Sequence, residues 1–138
     1  MTSYPRSPHD QVGGIVYFGR MLDKIRLKAA GTLHPDLHQN LGIGFDQRCT
    51  RFLGVSYGEL AERVRAGLSD EQALEWCFAH GRKPTEEEIE VWNGFMTKRG
   101  WKDAASELVA KRKKESGLEH RDDIQTMFDY IDADEGRA

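Results

Sequence analysis

The chain has 138 residues and a net charge of −3, which fits one domain and excludes the strongly basic balance of a dedicated nucleic-acid binder. A domain of this size buries roughly 68% of its unfolded surface, so it needs no disulfide or metal to hold a core. No run of about 18 apolar residues or signal-peptide pattern is present, and Cys49 and Cys77 lack a paired spacing. We therefore expect a soluble cytoplasmic protein with reduced thiols and with no nucleic-acid or membrane partner.

The first predicted element is a long central helix over residues 12–30, for which Ser7 followed by Pro8 offers an earlier start. Val16 and Leu27 project opposite its main apolar face, so we expect neighbours on both sides of this helix. Three glycines within it are costly and predict close approach of another backbone or of a ligand. The main apolar face comprises Ile15, Phe18, Met21, Leu22, Ile25 and Ala29.

An irregular loop is predicted from Thr32 to Gly44, where neither helical nor strand periodicity persists. Structureless loops of this length are unusual inside compact domains and often serve a function. A short helix follows over residues 45–53 and ends at Gly54.

Capping signals predict the next three helices. Each opens with a Ser or Thr followed three residues later by Glu or Gln, and each ends at a glycine. The pairs are Ser56 with Glu59, Ser69 with Gln72, and Thr85 with Glu88. The third of these helices should bury Ile89, Trp92, Phe95 and Met96.

Two further helices complete the prediction, one from Trp101 towards Gly117 and one from Asp122 or Asp123. No run alternates with period two over the length of a strand, so we expect no sheet. The predicted fold is all-α: a compact bundle of about seven helices packed around the central N-terminal helix. Residues 1–138 form one domain, with flexible ends at 1–6 and 133–138.

Several segments together resemble a known family. They are Pro5-Arg6-Ser7-Pro8, Gly13-Gly14, the run from Arg20 to Arg26, Phe45-Asp46 and the closing run from Phe128 to Arg137. These segments are similar to those of a bacterial family described as domain of unknown function 5069. The resemblance implies a small, helical bacterial protein, and it carries over no catalytic residues.

A cationic face of the first helix is the strongest candidate site. On a helical wheel Tyr17, Arg20 and Lys24 share one side, and Arg20 is flanked by apolar residues. A buried guanidinium needs a partner, which is either a carboxylate of the chain, Asp23 or Asp46, or an anionic ligand. In the second case the ligand-binding residues would be Tyr17, Arg20, Lys24, His38 and Asp46.

Other chemistry is weakly indicated. His34 and His38 have the spacing of metal ligands on a helix, but Pro35 lies between them, so we predict no metal and no cofactor. Cys49 has no recognisable nucleophile context. The basic run 111–114 cannot occupy a single helical face, which is typical of a solvated surface helix.

Two functions remain open. The leading hypothesis is a non-enzymatic cytoplasmic binding or interaction protein. The alternative is an enzyme or binder acting on a small anionic molecule in a pocket around Arg20 and the loop 32–44. A sealed ion pair at Arg20 would favour the first hypothesis, and an open concave site would favour the second.

Overall fold

The computed structural model describes residues 1–137, and within them it has seven α-helices, one 3-10 helix and a two-stranded hairpin. The prediction of an all-α fold is confirmed, since the hairpin adds only four strand residues. The hairpin strands are β1 (Gln11–Val12) and β2 (Ile15–Val16), and the 3-10 helix is Pro35–Asn40. The helices are α1 (Phe18–Ala29), α2 (Phe45–Leu53), α3 (Tyr57–Arg65), α4 (Asp70–His80), α5 (Glu86–Lys98), α6 (Ser106–Glu115) and α7 (Met127–Asp134).

The hairpin corrects the predicted start of the first helix. Gly13 and Gly14 form its two-residue turn with φ of 57° and 81°, and Val12 pairs with Ile15. Two successive residues with positive φ match the mirror-image turns that suit the twist of a hairpin, which is why this pair of glycines breaks a helix. Helix α1 therefore begins at Phe18, and the starts predicted at Ser7 and at residue 12 were wrong.

Helix α1 is covered on two sides. Phe18, Met21, Leu22 and Ile25 are buried in the main core. The side chains of Arg20 and Lys24 are also buried, on a second side of the helix. Because both sides are covered, the helix has the central position that the sequence predicted. Ala29, which was predicted to face the core, is exposed because it lies in the last turn.

The capping signals located the next helices correctly. Ser56, Ser69 and Thr85 each accept a hydrogen bond from the backbone N–H three residues later, and the last two form complete capping boxes. The prediction was wrong for Phe95 on α5, which is 41% exposed. Its ring lies instead beneath the guanidinium groups of Arg48 and Arg99, 5.3 and 5.5 Å from its centroid.

The last two helices begin later than predicted. The carboxylate of Asp103 accepts hydrogen bonds from the N–H groups of Gly100 and Ala105, which forms a turn before α6. Thr126 caps α7 by accepting a hydrogen bond from Asp129 N. The turn at Asp103 offers the backbone an alternative to the helix before α6, whereas the cap at Thr126 stabilises the first turn of α7.

Both ends of the described chain contact the rest of the molecule. Ser3 pairs with the segment after α1, donating to Thr32 O at 2.7 Å and accepting from His34 N at 3.0 Å. The predicted flexible C-terminal segment extended to position 138, which lies outside the described residues.

The longest helix, α5, has 13 residues, and no described helix is both long and apolar enough to span a bilayer.

Candidate functional site

A cavity of about 590 Å³ lies beside the second covered side of α1. The 3-10 helix and the start of α2 form one wall, and the C-terminal half of α6 and α7 form the other. The volume falls within the range of ordinary small-molecule sites. Its lining includes Tyr17, Arg20, Lys24, Asn40, Phe45, Met127, Tyr130, Ile131 and Glu135.

Arg20 forms a buried ion pair with Glu135 on the floor of this cavity. Its Nη2 donates to Oε2 at 2.6 Å and its Nη1 to Oε1 at 2.9 Å, while the two side chains are only 3% and 4% exposed. Nη1 also donates to Arg6 O at 3.1 Å. Burial opposes the charge of Arg20, but the hydrogen bonds and charge of Glu135 outweigh it, and the pKa of Arg20 is raised.

Lys24 and Asp46 form a second buried pair one helical turn away. Lys24 Nζ lies 3.0 Å from both carboxylate oxygens of Asp46 and 3.0 Å from Asn40 O. Burial lowers the pKa of Lys24, although the carboxylate of Asp46 acts against that shift. Asp46 also accepts from Gly42 N at 2.9 Å and from the Tyr17 hydroxyl at 2.6 Å, so its oxygens are fully used.

Tyr17 is held in a strained backbone conformation at the cavity wall. Its φ is 74°, which a residue with a bulky side chain rarely adopts. The ring packs against Phe45 and Phe128 at centroid distances of 5.6 and 6.1 Å. Burial, together with the charge of Asp46, raises the pKa of Tyr17 well above its ordinary value. Strained backbone conformations of this kind persist only where the surrounding structure holds them in place, and they are frequent at functional sites.

Three of the five residues proposed from the sequence line the cavity: Tyr17, Arg20 and Lys24. Asp46 is fully buried and does not line it, but it bonds to Tyr17 and Lys24. His38 does not join them, because its ring nitrogen hydrogen bonds to Leu33 O at 2.8 Å and the side chain does not line the cavity. Neither carboxylate proposed as the partner of Arg20 has that role. Asp46 binds Lys24, and Asp23 binds Arg6 and Arg26.

The sequence reasoning missed the second wall of the cavity. Ser116 and Tyr130 share a hydrogen bond between their hydroxyls there. Burial raises the pKa of Tyr130, the Ser116 hydrogen bond lowers it, and the charges of Asp134, Arg112 and Glu115 also act on it. No local motif marks these residues, because α6 and α7 reach the cavity only through the tertiary fold.

The other candidates show no arrangement for chemistry. Cys49 and Cys77 are free and buried, and burial raises the pKa of Cys77 to about 12. His34 accepts from Asp36 N and stacks on Tyr4 with 4.3 Å between the ring centroids. Within residues 1–137 no group of three or more His, Cys, Asp or Glu side chains is placed to hold a metal ion.

Comparison with known proteins identifies the family of the chain but no activity. No curated protein matches the chain. The model of the family described as domain of unknown function DUF5069 matches residues 2–137, nearly the whole chain. This match confirms the resemblance recognised in the sequence motifs, and the chain belongs to the DUF5069 family.

Proposed function

We propose that the chain is a non-enzymatic binding protein whose small-molecule ligand occupies the cavity beside α1. One observation carries the proposal: two buried ion pairs, Arg20 with Glu135 and Lys24 with Asp46, lie at a preformed cavity of about 590 Å³. Pockets of this size with a few convergent polar groups are the usual form of a ligand site.

The energetics of buried charge support this proposal. Replacing a buried ion pair by well-packed apolar residues is often neutral or stabilising, so such pairs are weak evidence for a purely structural role. Two of them adjoin the strained backbone of Tyr17, whose conformation adds a further cost of about 1 to 3 kcal/mol. A concentration of costly features at one cavity is typical of a functional site.

The state of the reactive groups supports binding over catalysis. Lys24 Nζ already contacts three acceptor oxygens, and the Tyr17 hydroxyl donates to Asp46. The pKa of Tyr17 is raised, which disfavours the phenolate that a base would need. In the described chain both thiols are buried, and burial raises their pKa values, so neither is an activated nucleophile.

The small anionic ligand expected from the sequence is less favoured by this geometry. Arg20 and Lys24 were its proposed binding groups, and each is already neutralised by a carboxylate. An anion would have to displace Glu135 or Asp46 from a bond that is both short and buried. A displaced carboxylate that stays buried without a partner carries a large cost, unless it moves into water.

We place the protein in the cytoplasm of a bacterium as part of the same proposal. The family resemblance supports the bacterial origin, and two free buried cysteines are compatible with a reducing compartment. Cell fractionation with an antibody to the chain tests the location. Recovery in the membrane or periplasmic fraction would contradict it.

A cavity-filling variant tests the binding function. Gln39 lines the cavity from the 3-10 helix and is exposed, so Gln39→Trp should block the space without touching either ion pair. Gln47→Trp is the matched control, because Gln47 is exposed on α2 and does not line the cavity. Ligand-detected NMR with a library of bacterial metabolites should find compounds that bind wild type and Gln47→Trp and fail to bind Gln39→Trp. No binding compound, or equal binding to all three proteins, would refute the proposal.

A further inference from the structure

The outer part of the cavity carries charges of both signs. Arg112 and Glu115 lie three positions apart on α6, and Asp134 lies at the end of α7. All three line the cavity, and their charges act on the hydroxyl of Tyr130, which bonds to Ser116. One guanidinium and two carboxylates therefore line the cavity near enough to a single pair of hydroxyls to act on Tyr130 electrostatically.

Among the described residues, these three charges differ from those of Arg20 and Lys24, because none of the three has a partner. Within residues 1–137, the side chains of Arg112, Glu115 and Asp134 form no hydrogen bond or ion pair, whereas Arg20 and Lys24 form both. Opposite charges three positions apart on a helix are near enough to interact. All three residues are exposed, so an incoming molecule reaches them directly.

Apolar side chains also line this cavity, on both of its walls. Phe45 at the start of α2 and Met127 and Ile131 on α7 line the cavity together with Leu37 and Ile43. An aromatic or aliphatic group placed there removes apolar surface from water, which favours binding by roughly 25 cal/mol per Å². The cavity thus offers both apolar surface and charges of both signs.

We propose that the ligand is a small zwitterion with an apolar body, of the kind represented by a free amino acid with an aromatic side chain. Its ammonium group would bind Glu115 and Asp134, and its carboxylate would bind Arg112 through charge-assisted hydrogen bonds. An anion alone faces an excess of carboxylates, and a cation alone leaves Arg112 without a partner. This inference rests on the proposed function, because it assigns a ligand class to the same cavity.

Three probes with the same aromatic ring separate the two charges. They are L-phenylalanine, phenylalaninamide, which lacks the carboxylate, and 3-phenylpropionate, which lacks the ammonium group. Isothermal titration should give phenylalanine a Kd of about 10 μM to 1 mM, a range typical of ligands of this size. Each analogue should bind at least about tenfold more weakly, because each loses one set of charge-assisted bonds.

Variants of the charged residues test the assignment of each end. Arg112→Gln should remove the preference for phenylalanine over phenylalaninamide, and the double variant Glu115→Gln, Asp134→Asn should remove the preference over 3-phenylpropionate. Arg63→Gln is the matched control, since Arg63 is exposed on α3 and lies outside the cavity. It should bind all three probes as wild type does. Circular dichroism should show that every variant is folded, as expected for exposed positions.

The outcomes separate this inference from the proposed function. If either analogue binds as tightly as phenylalanine, or if the variants leave the preferences unchanged, the zwitterion assignment is wrong. If no probe binds, yet other metabolites bind wild type and not Gln39→Trp, the assignment is wrong and the binding function stands. If no compound binds at all, both are wrong.

Discussion

Arg20 and Glu135 lie 115 positions apart in the chain and share two hydrogen bonds at the floor of one cavity. The pair joins α1, the central helix, to the C-terminal end of α7. Both side chains are almost fully buried, so neither charge is stabilised by bulk water. Among the described residues Arg20 has no other carboxylate partner, whereas Glu135 also binds Arg137, whose Nη1 lies 2.6 Å from its Oε1. The charge of Arg20 is therefore tolerated mainly because Glu135 is present.

A double-mutant cycle should show this dependence. Arg20→Gln should lower the free energy of unfolding by at most about 3 to 5 kcal/mol, because it leaves the buried carboxylate of Glu135 with Arg137 as its remaining charged partner. Glu135→Gln should have an effect at least as large, because it leaves Arg20 without its carboxylate partner, and the double variant should cost clearly less than the sum of the two. Urea denaturation of the four proteins measures the coupling. Simple additivity would show that the two side chains do not depend on each other.

Two glycine substitutions should change stability in opposite directions. A Cβ at Gly14 or at Gly94 meets no atom within 4 Å, so neither change is limited by space. Gly14 has a φ of 81° in the hairpin turn, and Gly14→Ala should cost about 1 to 2 kcal/mol of stability. Gly94 lies inside α5, where alanine is the better helix former, so Gly94→Ala should stabilise by about 0.5 to 1 kcal/mol.

Thermal unfolding of the two alanine variants and the wild type checks this prediction. The pair forms its own control, because both glycines are exposed and both changes add one methyl group. A stabilising effect of Gly14→Ala would contradict the hairpin turn between β1 and β2.

The sequence predicted those parts of the fold that depend on neighbouring residues. The starts of α4 and α5 follow from side chains that bond a backbone group three positions away, as at Ser69 and Thr85. The buried face of α1 follows from the helical spacing of its apolar residues. The hairpin was missed because Gly13 and Gly14 were read as costly helix residues, although two adjacent glycines also signal a turn.

The candidate site was predictable only in part, for a physical reason. Tyr17, Arg20 and Lys24 lie close together in the sequence, so helical geometry brings them together. The contact of Arg20 with Glu135 depends on the packing of α7 against the core, so no local sequence pattern predicts it. His38 lies on the 3-10 helix, where its ring bonds to Leu33 O, and it is not among the residues that line the cavity.

The network at Asp70 predicts a dependence of stability on pH. Burial opposes ionisation of this carboxyl, but hydrogen bonds from Arg6 and Arg26 outweigh that effect and lower its pKa below the ordinary 3.8. A carboxyl whose pKa is lower in the folded state stabilises the fold above its unfolded pKa. This contribution should be fully present above about pH 5 and lost as the pH falls through and below 3.8.

Denaturant titrations of wild type and Asp70→Asn at a series of pH values measure this contribution. The variant should be less stable than wild type at neutral pH, and the difference should shrink as the pH is lowered through that window. A difference that stays constant with pH would show that the charge of Asp70 does not stabilise the fold.

The most direct test of the central claim is whether a ligand occupies the cavity beside α1. The chain has six isoleucines, of which Ile43 and Ile131 line the cavity, while Ile15, Ile25, Ile89 and Ile124 do not. In a methyl NMR spectrum of protein labelled at isoleucine, added phenylalanine or any compound found in the metabolite screen should shift the signals of Ile43 and Ile131 and leave the other four nearly unchanged. A shift at Ile124 or Ile89 with Ile43 and Ile131 unmoved would place the ligand elsewhere and contradict the account.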